Sequence, residues 1–204
     1  MTKPVSQDHE FSDDVLLKAE LEYITQTAFQ ANEDRARVSS FYLVAVGSLV
    51  AAVLSTHLVA QNTDPALMAW AFGALFLFLT ILGTLTTLQL ARLRSAWHDS
   101  MLAMNQLKDY WFLRSTDKEL RQAFRWGAST LPHRYKVNSI SYYQALEVAV
   151  LSGFTFGASV YFVQQAIGYA CPPCNWAYAV ASGVLACLLQ LFLYKRNLGE
   201  EHAP

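Results

Sequence analysis

Four long apolar runs constrain this chain more than any other feature. They cover residues 41–60, 66–90, 145–169 and 176–194, and none contains Lys, Arg or Asp. The only acid among them is Glu147, near the start of the third. Each run is about the 20 residues that a helix needs to cross about 30 Å of hydrocarbon. A soluble domain carries roughly 25% charged residues. This 204-residue chain is 15% charged and 53% hydrophobic, and the deficit in charge is concentrated in these four runs. The predicted fold class is all-α integral membrane: four transmembrane helices in two hairpins, with long amphipathic cytoplasmic helical extensions. The expected divisions are an N-terminal amphipathic helix over 1–40, a first hairpin over 41–90, and a cytoplasmic helical linker over 91–144. A second hairpin over 145–194 and a tail over 195–204 complete the chain.

Orientation follows from the basic residues. Lys and Arg collect in cytoplasmic loops because they resist translocation. All 15 of them fall before residue 38, between residues 92 and 136, or at Lys195 and Arg196. The two remaining connections, "QNTDP" and "CPPCN", hold none. Basic pairs mark every inner end: Arg35/Arg37, Arg92/Arg94, Arg134/Lys136 and Lys195/Arg196. This pattern predicts a multi-pass protein of the inner (plasma) membrane with both termini in the cytoplasm. The first 40 residues hold eight acids and four bases. That is unlike the short basic start of a signal peptide, so the first span is expected to act as an uncleaved anchor. The formal net charge of −1 gives no reason to expect nucleic acid as a partner.

Short turn signals punctuate the outer side. Asp64-Pro65 reads as an N-cap followed by proline at the first helical position, where a missing N–H costs nothing. Asn175 is expected to cap the fourth helix in the same way. Tyr169, Trp176 and Tyr178 are placed where amphipathic rings settle at a membrane interface.

The inner segments read as helices with apolar seams. Leu17, Leu21, Ile24, Ala28, Ala31 and Val38 follow 4,3,4,3 spacing, with Arg35 in the missing step, which is the stripe of a coiled-coil seam. No Gly or Pro lies between Ser12 and Val46, so this helix can run into the first span. A second seam, Leu93, Trp97, Met101, Met104, Leu107 and Trp111, leaves the second span. Thr116 and Glu119 form a capping box for a short helix that Gly127 closes. Two readings of the seams stand: the helices pack on each other as a stalk, or they also join neighbouring subunits. Leu17, Leu21, Ile24 and Ala28 are the candidate oligomerisation residues, and the expected partners are the lipid bilayer with a homo-oligomer or a membrane complex.

Within the apolar runs, polar groups are costly in lipid and tend to face a partner or a water path. Ser48, Thr84, Thr87, Gln89, Gln164 and Gln165 form a candidate polar face, lining either a pore or a packing contact. Gly153 and Gly157, four apart, have the spacing that lets helices approach closely.

Cys171 and Cys174 bracket two prolines in "YACPPCNW" and face the outside in this topology. A C-x-x-C beside a helix N-terminus suits a redox couple, and in an oxidising compartment it equally suits a structural disulfide. Four-helix membrane enzymes that pass electrons from thiols to quinones carry such a pair, but they relay through a second outward pair. Here the one further cysteine is Cys187, midway along the fourth run. No metal set, nucleophile elbow, P-loop or dinucleotide fingerprint is present, and no cofactor is expected.

The helix-into-span junction "NEDRARVSSFYLVAV", the short outer turn and the helix continuing inward resemble the SLATT family of small bacterial membrane effectors. The resemblance covers about residues 12–125, and the second hairpin is additional to it. It implies an oligomeric, pore-forming protein without catalytic residues. The expectation is therefore a non-enzymatic four-span protein that oligomerises through cytoplasmic helices, as a regulated channel or effector. The alternatives are a thiol–disulfide oxidoreductase or redox sensor using Cys171 and Cys174, and a scaffold subunit of a larger membrane complex.

Overall fold

The computed structural model describes residues 7–59, 64–114, 127, 130–168 and 172–199. Among them are four long helices: α1 (Gln7–Val59), α2 (Pro65–Arg114), α3 (Ile140–Ala166) and α4 (Pro172–Gly199). Each is long and apolar enough to cross a membrane. The described part of the chain is thus all-helical, as its apolar runs require. The capping box at Thr116 and Glu119 lies outside the described residues, as does Cys171.

Helix ends follow local chemistry. Asp64 caps α2: its Oδ1 accepts from the Ala66 N–H at 3.0 Å, with Pro65 in the first helical position. Ser139 caps α3, its Oγ accepting from the Tyr142 N–H at 3.2 Å. The third helix thus starts at Ile140, five residues before the apolar run that predicts it, because a hydroxyl cap there satisfies an orphan N–H. Gly168, at φ +72°, follows α3 in the left-handed conformation that a glycine adopts without strain.

The start of α4 corrects the expectation for Asn175. Asn175 is buried inside the helix, and Pro172 and Pro173 occupy the first turn ahead of it. Prolines fit there because the first N–H groups of a helix have no partner to lose. The helix consequently starts at Pro172, four residues before the Trp176 that a cap at Asn175 would imply, with Cys174 within its first turn.

The chain forms two compact units. One contains Met1–Asp34 and Leu93–Arg134, the other Arg35–Arg92 and Tyr135–Pro204. In the first, Ile24, Ala28 and Ala31 are buried, which places one stripe of α1 inside the unit. Leu17 is half-buried and Leu21 is 40% exposed. On α2 the fully buried positions of this unit are Arg94 and Asn105, while Trp111 is exposed. The buried face of α2 is therefore rotated by about one residue from the apolar seam expected there. In the second unit the core is built from Tyr42, Leu79, Leu90, Val148 and Tyr194, with Phe162 stacked on Phe76 at 5.7 Å.

Candidate functional site

The second unit is organised by the two faces of α3. One face repeats small residues at 4,3,4,3,4 spacing: Ser141, Ala145, Val148, Ser152, Thr155 and Ser159, all buried. Small side chains allow α2 to come close, and their hydroxyls then reach its backbone. Ser159 Oγ donates to the Gly73 carbonyl at 2.8 Å and Ser152 Oγ to the Thr80 carbonyl at 3.2 Å. Thr155 and Thr80 share a hydroxyl–hydroxyl bond of 3.0 Å. Gly83 sits at the tightest point, where an added Cβ would lie 2.5 Å from the Tyr42 hydroxyl and 2.7 Å from Ser152 Cβ.

The other face of α3 carries Gly153 and Gly157 against α4. A Cβ on Gly153 would meet the Gly183 carbonyl oxygen at 2.7 Å, and one on Gly157 would meet that of Ala179 at the same distance. The relation is reciprocal, since a Cβ on Gly183 would meet the Gly153 oxygen at 2.7 Å. Backbone against backbone leaves no side chain to move aside, so this crossing requires glycine.

Gln190 of α4 joins the three helices. Its Nε2 donates to Ser152 Oγ at 2.5 Å and to Thr84 Oγ1 at 3.0 Å. Its Oε1 accepts from Thr87 Oγ1 at 3.4 Å. Gln190, Ser152 and Thr87 are all buried. A buried amide left without partners costs several kcal/mol, which is why the four side chains collect at one place.

The candidate polar face does not converge as a set. Thr84 and Thr87 belong to the cluster around Gln190, whereas Ser48, Gln89 and Gln165 are exposed. Gln165 bonds the Tyr161 hydroxyl one turn away, at 2.9 Å. Gln164 is half-buried, and its Oε1 is buried without a hydrogen-bond partner. Sequence reasoning passed over the serine–alanine–threonine seam of α3 and the role of Gln190. The 4,3 spacing from Ser141 to Ser159 was the available signal, hidden because small residues do not register as apolar periodicity.

At the N-terminal end of α3, the Arg35 guanidinium donates to Ser141 Oγ, and Tyr194 donates to the Ser141 carbonyl at 3.3 Å. Arg35 is buried and takes the step that the apolar stripe of α1 omits. At the opposite end Cys174 is disulfide-bonded, and Cys187 is free. Trp176 packs against Tyr161, ring centroids 5.1 Å apart. Among the described residues no cluster of His, Cys, Asp and Glu could hold a metal ion.

In the first unit, Arg134 folds back on α2. It donates to Asp99 Oδ1 at 2.5 Å, and its carbonyl accepts from Arg94 Nε at 3.2 Å. Arg94 in turn lies 4.4 Å from the centre of the Trp97 ring. His98 lies beside Arg134, with Arg134 Nε 3.4 Å from its Nδ1. Burial lowers the His98 pKa below its ordinary value, and the neighbouring Arg134 and Arg94 add to the shift against the opposing pull of Asp99.

Among the described residues these features define an all-helical arrangement with four helices suited to crossing a membrane. No family model, curated protein or solved structure matches the chain.

Proposed function

We propose that this is a non-enzymatic four-span protein of the inner (plasma) membrane, with both termini cytoplasmic, that assembles with copies of itself through its cytoplasmic helices. The observation that carries this reading is the fate of the polar groups between α2, α3 and α4. They are bonded to one another around Gln190, and the Tyr42 hydroxyl beside Ser152 is the one titratable group that joins them; no Asp, Glu, His, Lys or Arg belongs to the cluster. Such a bundle is a packed anchor; it is neither a catalytic site nor an aqueous conduit. A pore, on this reading, forms between copies. The complete segregation of Lys and Arg supports the orientation.

Assembly is supported by the first unit. Besides its buried stripe, α1 exposes Val15, Leu16, Tyr23 and Phe29, each at least 57% accessible. Exposed apolar side chains of this size on one helix suit an interface. The SLATT-like layout supports an effector or channel role for the assembly. Mass determination in mild detergent and conductance in liposomes test it together. A single-protomer mass with no conductance overturns the proposal.

The disulfide at Cys174 favours a second reading, a thiol–disulfide oxidoreductase. In that reaction the Cys171/Cys174 disulfide takes two electrons and two protons from a partner dithiol, which becomes a disulfide. The reduced pair then passes both to a membrane quinone, which becomes quinol. Trapping a mixed disulfide with a partner in Cys174→Ala would favour this reading over the first.

A further inference from the structure

Two hollows meet at the Tyr161–Trp176 ring pair. The first, about 690 Å³, lies at the Asp64 end and is lined by Asp64, Gln165 and Asn175 as well as the two rings. The second, about 590 Å³, is an apolar groove between α3 and α4. Its floor is the glycine crossing of Gly153, Gly157 and Gly183, and its walls include Phe154, Val184 and Leu188. The groove exists because glycines at the crossing leave no side chain to fill the crevice beside it. Tyr161 and Trp176 line both hollows, so the two form one surface that is polar at one end and apolar along the rest. Each volume falls in the range of about 300–1,000 Å³ that suits a small-molecule site.

Charge decides among occupants. Among the described residues, Asp64 is the one charged side chain lining the polar hollow. The adjoining connections, residues 60–63 and 169–173, contain no charged residue in sequence. A carboxylate beside two aromatic rings, with no base nearby, is the chemistry that recognises an ammonium group. It is poorly suited to a head group carrying only negative charge.

We propose that this surface binds one phospholipid with an ethanolamine head group. The ammonium lies between Asp64 and the Tyr161 and Trp176 rings, the side-chain amide of Gln165 lies on the phosphate side, and one acyl chain follows the groove toward Cys187. The site rests on the four-span reading, which alkaline extraction of membranes tests separately. A chain released by that extraction overturns both proposals, whereas an embedded chain without head-group preference overturns the lipid site alone.

The test is native mass spectrometry of the delipidated full-length protein titrated with phosphatidylethanolamine or phosphatidylglycerol. One ethanolamine lipid is retained per chain, with about tenfold preference over the glycerol lipid, the scale of one cation–π contact plus one ion pair. Asp64→Asn removes the charge while an asparagine still caps α2, and it lowers retention about fivefold with helix content unchanged. Val184→Trp fills the groove and lowers retention of both lipids. Equal retention of the two lipids by the native chain, or no effect of Asp64→Asn, overturns the proposal. So does cross-linking that finds the Val184 face covered by a second copy.

Discussion

The side-chain amide of Gln190 on α4 donates to the hydroxyl of Ser152 on α3 at 2.5 Å, while the same nitrogen reaches Thr84 on α2 at 3.0 Å. One residue thus ties three helices at a buried point, and Ser152 in turn donates to the Thr80 carbonyl. Interhelical hydrogen bonds of this kind average about 0.6 kcal/mol in a membrane protein, with a maximum near 1.7. Replacing Gln190 by leucine breaks several at once and leaves Thr84 and Ser152 short of a partner. The expected loss is about 1–2 kcal/mol, read as a lower unfolding midpoint in mixed micelles. Unchanged stability with altered ion conductance would instead place Gln190 on a water path.

Glycine substitutions separate the crossings from open helix faces. At Gly83 an alanine Cβ meets Ser152 Cβ at 2.7 Å, and at Gly183 it meets a backbone oxygen at 2.7 Å. Overpacking a tight contact costs about 1–3 kcal/mol, so both variants lose stability. Gly47 has nothing within 4 Å of an added Cβ. Gly47→Ala is expected to gain up to about 1 kcal/mol from helix propensity. The comparison is informative because the three changes are chemically identical.

The first unit should respond to acid. The His98 pKa is depressed in the folded chain, chiefly by burial and then by Arg134, so the folded state favours the neutral ring. This contribution to stability is full above the ordinary histidine value of about 6.5 and is lost as pH falls through the lower folded value. Melting curves between pH 5 and pH 8 should show this loss. His98→Asn should flatten the dependence, and an undiminished slope in that variant would assign it to another group.

Cysteine accessibility distinguishes the two thiol chemistries. Cys174 is bonded and should resist a maleimide until reductant is added, in a Cys187→Ala background. A structural disulfide stays fully oxidised in respiring and non-respiring cells alike. A mixture of forms that shifts with respiration would mean that the pair cycles.

How much of this was readable in advance differs between elements. The boundary at Asp64-Pro65 was legible because a cap and a proline act within four residues of themselves. The start of α4 was misplaced for the same kind of reason. Asn175 and Pro172 both carry a helix-start signal, and local chemistry alone does not rank them. The rotated face of α2 around Arg94 and Asn105 was not legible, since apolar periodicity points away from a buried arginine.

By itself the sequence determined four apolar helices, the separation of basic from base-free connections, and the Asp64-Pro65 start of α2. These depend on hydrophobicity and on neighbours close in the chain. Only the tertiary structure decided which polar residues of the helices meet. Thr84, Ser152 and Gln190 come together because α2 and α3 approach at Gly83 while α3 and α4 cross at Gly153 and Gly183. A hydrogen bond requires an approach to about 3 Å, and separations of 38 and 106 residues along the chain are closed only by that packing.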